Sequence, residues 1–233
     1  MQAASRASRT PTTITAIPDR PMAKVASPGK DCALCPRLAD FRNDNRKKLP
    51  DYFNAPVPAF GDEEPKFLII GLAPGLHGAN RTGRPFTGDW AGDLLFATLL
   101  DLGLAAGTYD ERPDDGLTLK GCRIVNGVRC VPPQNKPTPA EIKTCNTFLK
   151  AEIAASPARV YLALGAIAHD AALMALGEKR GRFKFGHGRR HDLADGRILI
   201  DSYHCSRYNT NTGVLTPAMF REAMAQAKEA AGL

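Results

Sequence analysis

Four short apolar runs constrain the fold of this chain more than any other feature: Phe67–Ile70, Arg123–Asn126, Val160–Leu164 and Ile198–Asp201. Each is dominated by β-branched or other apolar residues and is followed by Gly or a polar residue, the pattern of a strand buried on both faces. Between the runs the spacing turns helical. From Trp90 to Leu102 apolar residues fall at 91, 94, 95, 99 and 102, along one face of a helix. Thr138-Pro139-Ala140-Glu141 is a capping box with Pro at the first helical position, opening a helix to about Ser156. Another helix follows Gly165, and Thr216-Pro217 starts a last one running to the C-terminus. Strands alternating with helices predict a parallel sheet covered on both faces. Ligands of such sheets bind outside the carboxyl ends of the strands, so the residues that follow strands carry the functional information. No internal repeat is visible.

The chain has 233 residues, 43% hydrophobic and 24% charged, which excludes a wholly disordered or collagen-like polymer. No run approaches the ~18 apolar residues of a membrane span, and Met1 to Lys30 never becomes continuously apolar, so no secretory leader is expected. A soluble intracellular domain is the working class. The formal charge of +7 is unevenly placed. In residues 1–30, Arg6, Arg9, Arg20, Lys24 and Lys30 face Asp19 alone. Residues 1–29 are rich in Ala, Ser, Thr, Pro and Arg and poor in large apolar groups, which predicts a flexible basic tail ahead of a domain spanning 30–233. The same composition also fits an organelle transit peptide. Within the body, residues 178–191 set six basic side chains against Glu178, interleaved with Phe183, Phe185, His187 and His191. Repeated Gly makes this a loop or hairpin, and it reads either as a phosphate-binding patch or as a solvated surface loop.

Six cysteines stand at 32, 35, 122, 130, 145 and 205. Cys32-Ala33-Leu34-Cys35 is a C-x2-C knuckle, whose spacing lets two thiolates grip one metal. Cys130 follows the second strand and Cys145 lies in the next helix, so the four form an all-thiolate set for zinc or an iron–sulfur cluster. Four unrelated thiols are the alternative. Cys122 and Cys205 abut strands and read as small core residues.

Three post-strand loops stand out. The first carries Gly71-Leu72-Ala73-Pro74-Gly75, then Asn80-Arg81-Thr82-Gly83-Arg84-Pro85-Phe86-Thr87-Gly88-Asp89, a rigid stretch whose backbone can approach a ligand closely. It lacks the arrangement of a P-loop. Phe86 is suited to stacking on a planar ring or to packing the loop, and Asp89 is placed to cap the next helix. The second strand ends in Asn126, whose amide can read a base edge. The fourth leads into His204-Cys205-Ser206-Arg207-Tyr208-Asn209-Thr210-Asn211-Thr212-Gly213. There a His can stabilise a developing anion while Ser206 and Arg207 hold phosphates.

These three motifs, with the four cysteines, resemble the family 5 (type b) uracil-DNA glycosylases, to which the iron–sulfur family 4 enzymes are related. The resemblance spans residues 32 to about 220. It implies a three-layer α-β-α sandwich with a four-stranded parallel sheet, and a [4Fe–4S] cluster on Cys32, Cys35, Cys130 and Cys145. It implies a monofunctional enzyme that cleaves the bond between uracil and deoxyribose in double- or single-stranded DNA, initiating base-excision repair, with hypoxanthine and other deaminated bases as possible further substrates. On this pattern the base flips into a pocket formed in part by Gly71 and Ala73. Phe86 stacks on it, Asn126 bonds its Watson–Crick edge, and His204 donates to its oxygen as charge grows. Asp89 is the expected orienter of the attacking water, with help from Asn126, because Ala73 stands where several families place Asp or Asn. Ser206 holds flanking phosphates, and Arg207 or Tyr208 fills the gap left in the duplex. A monomer acting near the nucleoid in the cytoplasm, without membrane attachment, completes the expectation.

Two other classes compete. One is a non-catalytic nucleic-acid-binding module stabilised by a metal cluster, which would have no need of Phe86, Asn126 and His204 after the right strands. The other is an enzyme that traps its abasic product on a nucleophilic His of the basic loop, His187 or His191.

Overall fold

The structure, a computed structural model, describes residues 27–233; the expected tail therefore lies almost wholly outside the described residues. Among the described residues there are eight strands: β1 (Phe60–Gly61), β2 (Phe67–Gly71), β3 (Ala105–Ala106), β4 (Thr118–Leu119), β5 (Cys122–Asn126), β6 (Val160–Leu164), β7 (Arg190–Asp192) and β8 (Ile198–Ser202). The helices are α1 (Pro36–Lys48), α2 (Ala79–Thr82), α3 (Trp90–Asp101), α4 (Pro139–Ala155), α5 (Ala166–Leu176), α6 (Arg207–Asn211) and α7 (Pro217–Ala230). The main sheet runs β1-β5-β2-β6-β8-β7, with β3 and β4 pairing separately. Its inner four strands are the four expected from sequence, all parallel. The short edge strands β1 and β7 add antiparallel, so the complete sheet is mixed.

Alternation along the inner strands divides the core. Phe67 and Ile69 face one cluster with Leu95, Phe96 and Leu99 of α3 and Phe220 and Met224 of α7. Leu68 and Ile70 face the other, with Leu149 and Ile153 of α4 and Ala172 and Leu173 of α5. That is the expected three-layer α-β-α sandwich, each strand buried on both faces by helices. No helix among the described residues is long and apolar enough to cross a membrane. Cys122 and Cys205 are fully buried core residues, as their positions predicted.

The helix starts follow the caps read from sequence. Thr138 accepts from Glu141 N while the Glu141 carboxylate accepts from Thr138 N. Asp89 caps α3 and Thr216 caps α7. Helix α1 has no such signal. Nine of the thirteen residues in PRLADFRNDNRKK are polar or charged, and its cap residue is Cys35, which makes no side-chain capping bond. Leu38 anchors it in a small core with Val128 and Cys145, and polar contacts add to this: Arg37 forks onto the distant Glu141 at 2.7 Å, and Arg46 reaches Asp31 and the carbonyl of Asn54.

Residues 178–191 form a loop with one short 3-10 turn at Arg180–Arg182, and their last residues enter the edge strand β7. The aromatic groups within it turn inward. Phe183 packs edge-on against His191, and Phe185 against His169 and Tyr203. The loop is a charged surface pinned by its apolar residues, and its rings are not free to meet bases.

Candidate active site

The parallel register sets Gly71 of β2 directly beside Asn126 of β5 at the carboxyl edge of the sheet. A cavity of about 360 Å³ opens there, lined by Leu72, Ala73, Phe86, Asp89, Trp90, Asn126, Asn135, His204, Ser206 and Arg207 among others. Ala73, Phe86, Asp89, Asn126, His204, Ser206 and Arg207, dispersed across the sequence, are thus gathered around one opening. Gly71 stands behind the wall. Tyr208 is 74% exposed on the outer side and does not line the cavity.

Gly71 is an absolute requirement of this packing. A Cβ there would lie 2.3 Å from Asn126 Oδ1 and 2.8 Å from the Phe86 ring. Phe86 itself adopts φ of +57°, a left-handed conformation that costs a bulky residue roughly 1–3 kcal/mol. Its surroundings hold it there. The Phe86 carbonyl lies so close to Gly92 that a Cβ would come within 1.8 Å. Behind it, Arg84 forks onto Asp115 at 2.6 and 2.8 Å, donates to Thr87 Oγ1 and lies over the rings of Phe60, Phe96 and Tyr109. The result is an aromatic ring held at the cavity wall, with the His204 imidazole roughly parallel to it at 6.0 Å.

Asp89 does two things at once. Its Oδ1 accepts from the N–H groups of Ala91 and Gly92. Its Oδ2 faces the loop, so close to Gly78 that a Cβ there would sit at 2.4 Å. Burial pushes its pKa above the ordinary carboxylate value, outweighing the two N–H donors that oppose the shift. Burial also lowers the pKa of His204, favouring the neutral ring. The Asn126 amide oxygen is buried with no hydrogen-bond partner among the described residues. A buried, unpaired acceptor is costly, and one at a cavity wall is positioned to meet a ligand donor. Ser206 caps α6, its Oγ accepting from Asn209 N, while the Asn209 amide donates to the His204 carbonyl and fixes the loop.

The four cysteines converge on a second, small cavity with Leu34, Leu38, Ala39 and Phe148. Burial raises the Cys35 and Cys145 thiols to about 11, and the neighbouring sulfurs add to the shift. Donors already face two of the sulfurs: the Arg42 guanidinium reaches Cys130 Sγ, and the backbone N–H of Arg129 donates to Cys145 Sγ, while the Arg129 guanidinium pairs with Glu152. Arg42 Nε and two Arg129 nitrogens are buried without partners among the described residues. Four converging sulfurs with the Arg42 guanidinium and a backbone N–H directed at them fit a negatively charged thiolate-ligated centre, and the donor set suits zinc and iron–sulfur alike.

A third cluster was invisible in sequence. Asp201 Oδ1 meets His169 Nδ1 at 2.7 Å and its Oδ2 meets His191 Nε2 at 2.8 Å, all three side chains buried. These are hydrogen-bond spacings, and His169 Nε2 is taken up by the Phe183 carbonyl. Burial pulls the His169 pKa down, but the bond and charge of Asp201, with the Phe183 carbonyl, carry it above its ordinary value. The cluster is a buried anchor between α5, the basic loop and β8. It occupies His191, while His187 accepts from the Tyr203 N–H and stacks on that ring. Neither is presented as a nucleophile.

Sequence reasoning also missed Trp90, Asn135, Arg84 and Asp115 as parts of the site. Trp90 was visible as the residue after a helix cap. Asn135 was not, because its approach depends on positive φ at both Gln134 and Asn135.

The model of the uracil DNA glycosylase superfamily matches residues 58–228. The chain is 46% identical over 208 residues to the type-5 uracil-DNA glycosylase of Thermus thermophilus, covering 87% of this chain and 94% of that one. With the type-5 uracil-DNA glycosylase of Mycobacterium tuberculosis it shares 42% identity over 211 residues, 87% of this chain and 79% of the other. The type-4 uracil-DNA glycosylase of Pyrobaculum aerophilum is 30% identical over 181 residues, covering 77% and 83% respectively.

Proposed function

The chain belongs to the uracil DNA glycosylase superfamily, and from that membership we propose that it hydrolyses the N-glycosidic bond of uracil in DNA, releasing the base and leaving an abasic site. One observation carries the reading: Phe86, the unpaired Asn126 oxygen, Asp89 and His204 meet in a single cavity at the carboxyl edge of the sheet. A base inside a duplex is beyond reach of these groups, so it must flip into the cavity. Phe86 offers it a fixed ring to stack on, and the Asn126 amide pairs with its N–H and carbonyl oxygen.

As the bond from C1′ to the base breaks, electrons move onto the base and the sugar becomes cationic. A neutral His204 donates a hydrogen bond to the base oxygen as negative charge accumulates there, which suits a ring whose pKa is lowered by burial. Asp89, ionised, faces the cationic sugar and orients water toward C1′. Water adds its oxygen to that carbon and its proton passes to the carboxylate. The capping bonds fix Oδ1, leaving Oδ2 for this work. Hypoxanthine offers a similar N–H beside a carbonyl oxygen, so recognition through one amide extends to it.

Ser206, at the cavity wall, would hold a flanking phosphate, and Arg207 or the exposed Tyr208 would fill the gap in the duplex. Lys179, Arg180, Arg182, Lys184, Arg189 and Arg190 belong to the basic loop and add salt-sensitive affinity without sequence preference. Cys32, Cys35, Cys130 and Cys145 would hold a [4Fe–4S] cluster, whose contribution is a covalent clamp between the N-terminal segment and the body. The enzyme acts as a monomer on nucleoid DNA in the cytoplasm.

The test is a labelled duplex with a single uracil, incubated with protein and then with hot alkali. A break at the uracil position is expected, and one at hypoxanthine in a matching duplex. Intact strands with both bases, from protein that binds the duplex, would overturn the enzyme in favour of a binding module.

A further inference from the structure

Trp90 has no part in the chemistry above, yet it lines the mouth of the cavity and is 44% exposed. We propose that Trp90 is a DNA-contacting residue, an aromatic platform on which a base adjoining the flipped nucleotide stacks. The proposal rests on the glycosylase reading and names a contact which that reading does not require.

A part-exposed indole at a cavity rim offers a flat face on which an arriving base can stack. Here its position is fixed rather than incidental. Asp89 caps α3 with its side chain, which makes Trp90 the first residue of a rigid helix. The indole N–H donates to Thr210 Oγ1 at 2.9 Å, tethering the ring edge to α6 across the opening. The Arg207 guanidinium lies 4.7 Å from the ring centre, covering it as a cation–π partner. Phe86 and Trp90, one on each side of the Asp89 cap, thus hold two depths of one site. Phe86 is 6% exposed at the wall, and Trp90 stands at the lip.

Flipping a nucleotide removes one stacking partner from each neighbouring base. A nearby aromatic face restores such a partner without regard to sequence. Arg207 is a cation that a phosphate or the vacated gap attracts. When it leaves, the indole face it covered becomes free for the unstacked neighbour. Arg207 on Trp90 is therefore the resting arrangement, exchanged for base on indole when DNA engages.

Trp90 is the sole tryptophan of the chain, so its fluorescence reports this contact with no competing indole signal. The probe is a duplex carrying a tetrahydrofuran abasic analogue, its binding followed separately by the anisotropy of a dye on the DNA. Bound DNA should quench Trp90 emission and shield it from acrylamide. Trp90→Leu should weaken binding by on the order of ten-fold to a hundred-fold. Trp90→Phe, which keeps a stacking face, should restore most of it. Thr210→Val cuts the tether and should leave affinity near that of the unaltered protein. The proposal fails if DNA binds by anisotropy while emission and acrylamide access stay unchanged. It also fails if Trp90→Phe and Thr210→Val weaken binding as much as Trp90→Leu, because the indole then serves only to dock α6. Excision of uracil with a silent Trp90 sinks this proposal alone. Absence of both binding and excision sinks the glycosylase reading, and the platform with it.

Discussion

Replacing Arg84 with Met should destabilise the protein by about 3 kcal/mol, at the lower end of the roughly 3–5 kcal/mol for breaking a buried ion pair from one side. The Arg84 and Asp115 side chains are 5% and 0% exposed, and the pair is bidentate at 2.6 and 2.8 Å. Methionine keeps the apolar stem against Phe60 and Phe96 but strips Asp115 of its cation. Two backbone donors remain to that carboxylate, from Asp110 and Leu117, which is why the lower end applies. For a chain of this size, about 3 kcal/mol corresponds to a fall of roughly 6–12 °C in Tm. Arg84 first, helped by the two backbone donors and opposed by burial, holds the Asp115 carboxyl well below its ordinary range. Its folded pKa is depressed, so the stabilisation is present above the unfolded value of about 4 and is lost as pH falls below it. The deficit of Arg84→Met should therefore be full at neutral pH and shrink in acid. The double variant Arg84→Met/Asp115→Leu removes both charges and should recover part of the stability, the remainder being lost because the Asp110 and Leu117 N–H groups lose their acceptor. Denaturant titrations at neutral and acid pH measure all of this. A single-variant deficit below about 1 kcal/mol, or one that is independent of pH, would refute the reasoning from burial.

Asp89→Asn retains an oxygen to cap α3, so stability should hold while excision falls by roughly 10²–10⁴-fold; the rising limb of the wild-type pH–rate profile, lying above the ordinary carboxylate pKa because burial raises Asp89, should vanish with it. Gly71→Ala drives a methyl group into Asn126 and Phe86, and a displacement of about 1 Å there should cost on the order of 10²-fold in excision rate. Arg182→Ala with Lys184→Ala should lower the slope of log affinity against log salt by up to about 2, roughly 0.9 for each phosphate no longer neutralised, with little change in single-turnover excision. Cys145→Ala should abolish bound iron, measured by metal analysis, and lower Tm; zinc in place of iron in the unaltered protein would correct the assignment of the cluster.

The inner sheet was legible because strands buried on both faces are dominated by apolar residues, with few exceptions such as Arg123 and Asp201, and each of the four ends in a sharp change of chemistry. The caps at Asp89, Thr138 and Thr216 were legible because capping is local. What sequence hides is non-local. Helix α1 has little apolar periodicity: Leu38 is its one fully buried apolar side chain, and Arg37 and Arg42 bond partners about a hundred residues away, Glu141 and Cys130. His169, His191 and Asp201 meet only after β7 and β8 pair. Arg84 and Asp115 lie in loops whose joint burial no pattern reveals. Phe183 and Phe185 look like part of a nucleic-acid patch because sequence shows a ring beside an Arg without showing which way either points. The site residues could be named in advance from post-strand motifs, but Asn135 needed two consecutive left-handed residues to reach the cavity mouth.

The most direct measurement is the release of free uracil from a single-uracil duplex in one turnover, comparing the unaltered protein with His204→Ala under conditions where both bind all of the DNA. If His204 stabilises the departing base, the unaltered protein releases one uracil per site and the variant is slower by about 10²–10³-fold with its DNA affinity nearly intact. Release at equal rates would contradict the role given to His204, and no release from either protein would contradict glycosylase chemistry in this cavity altogether.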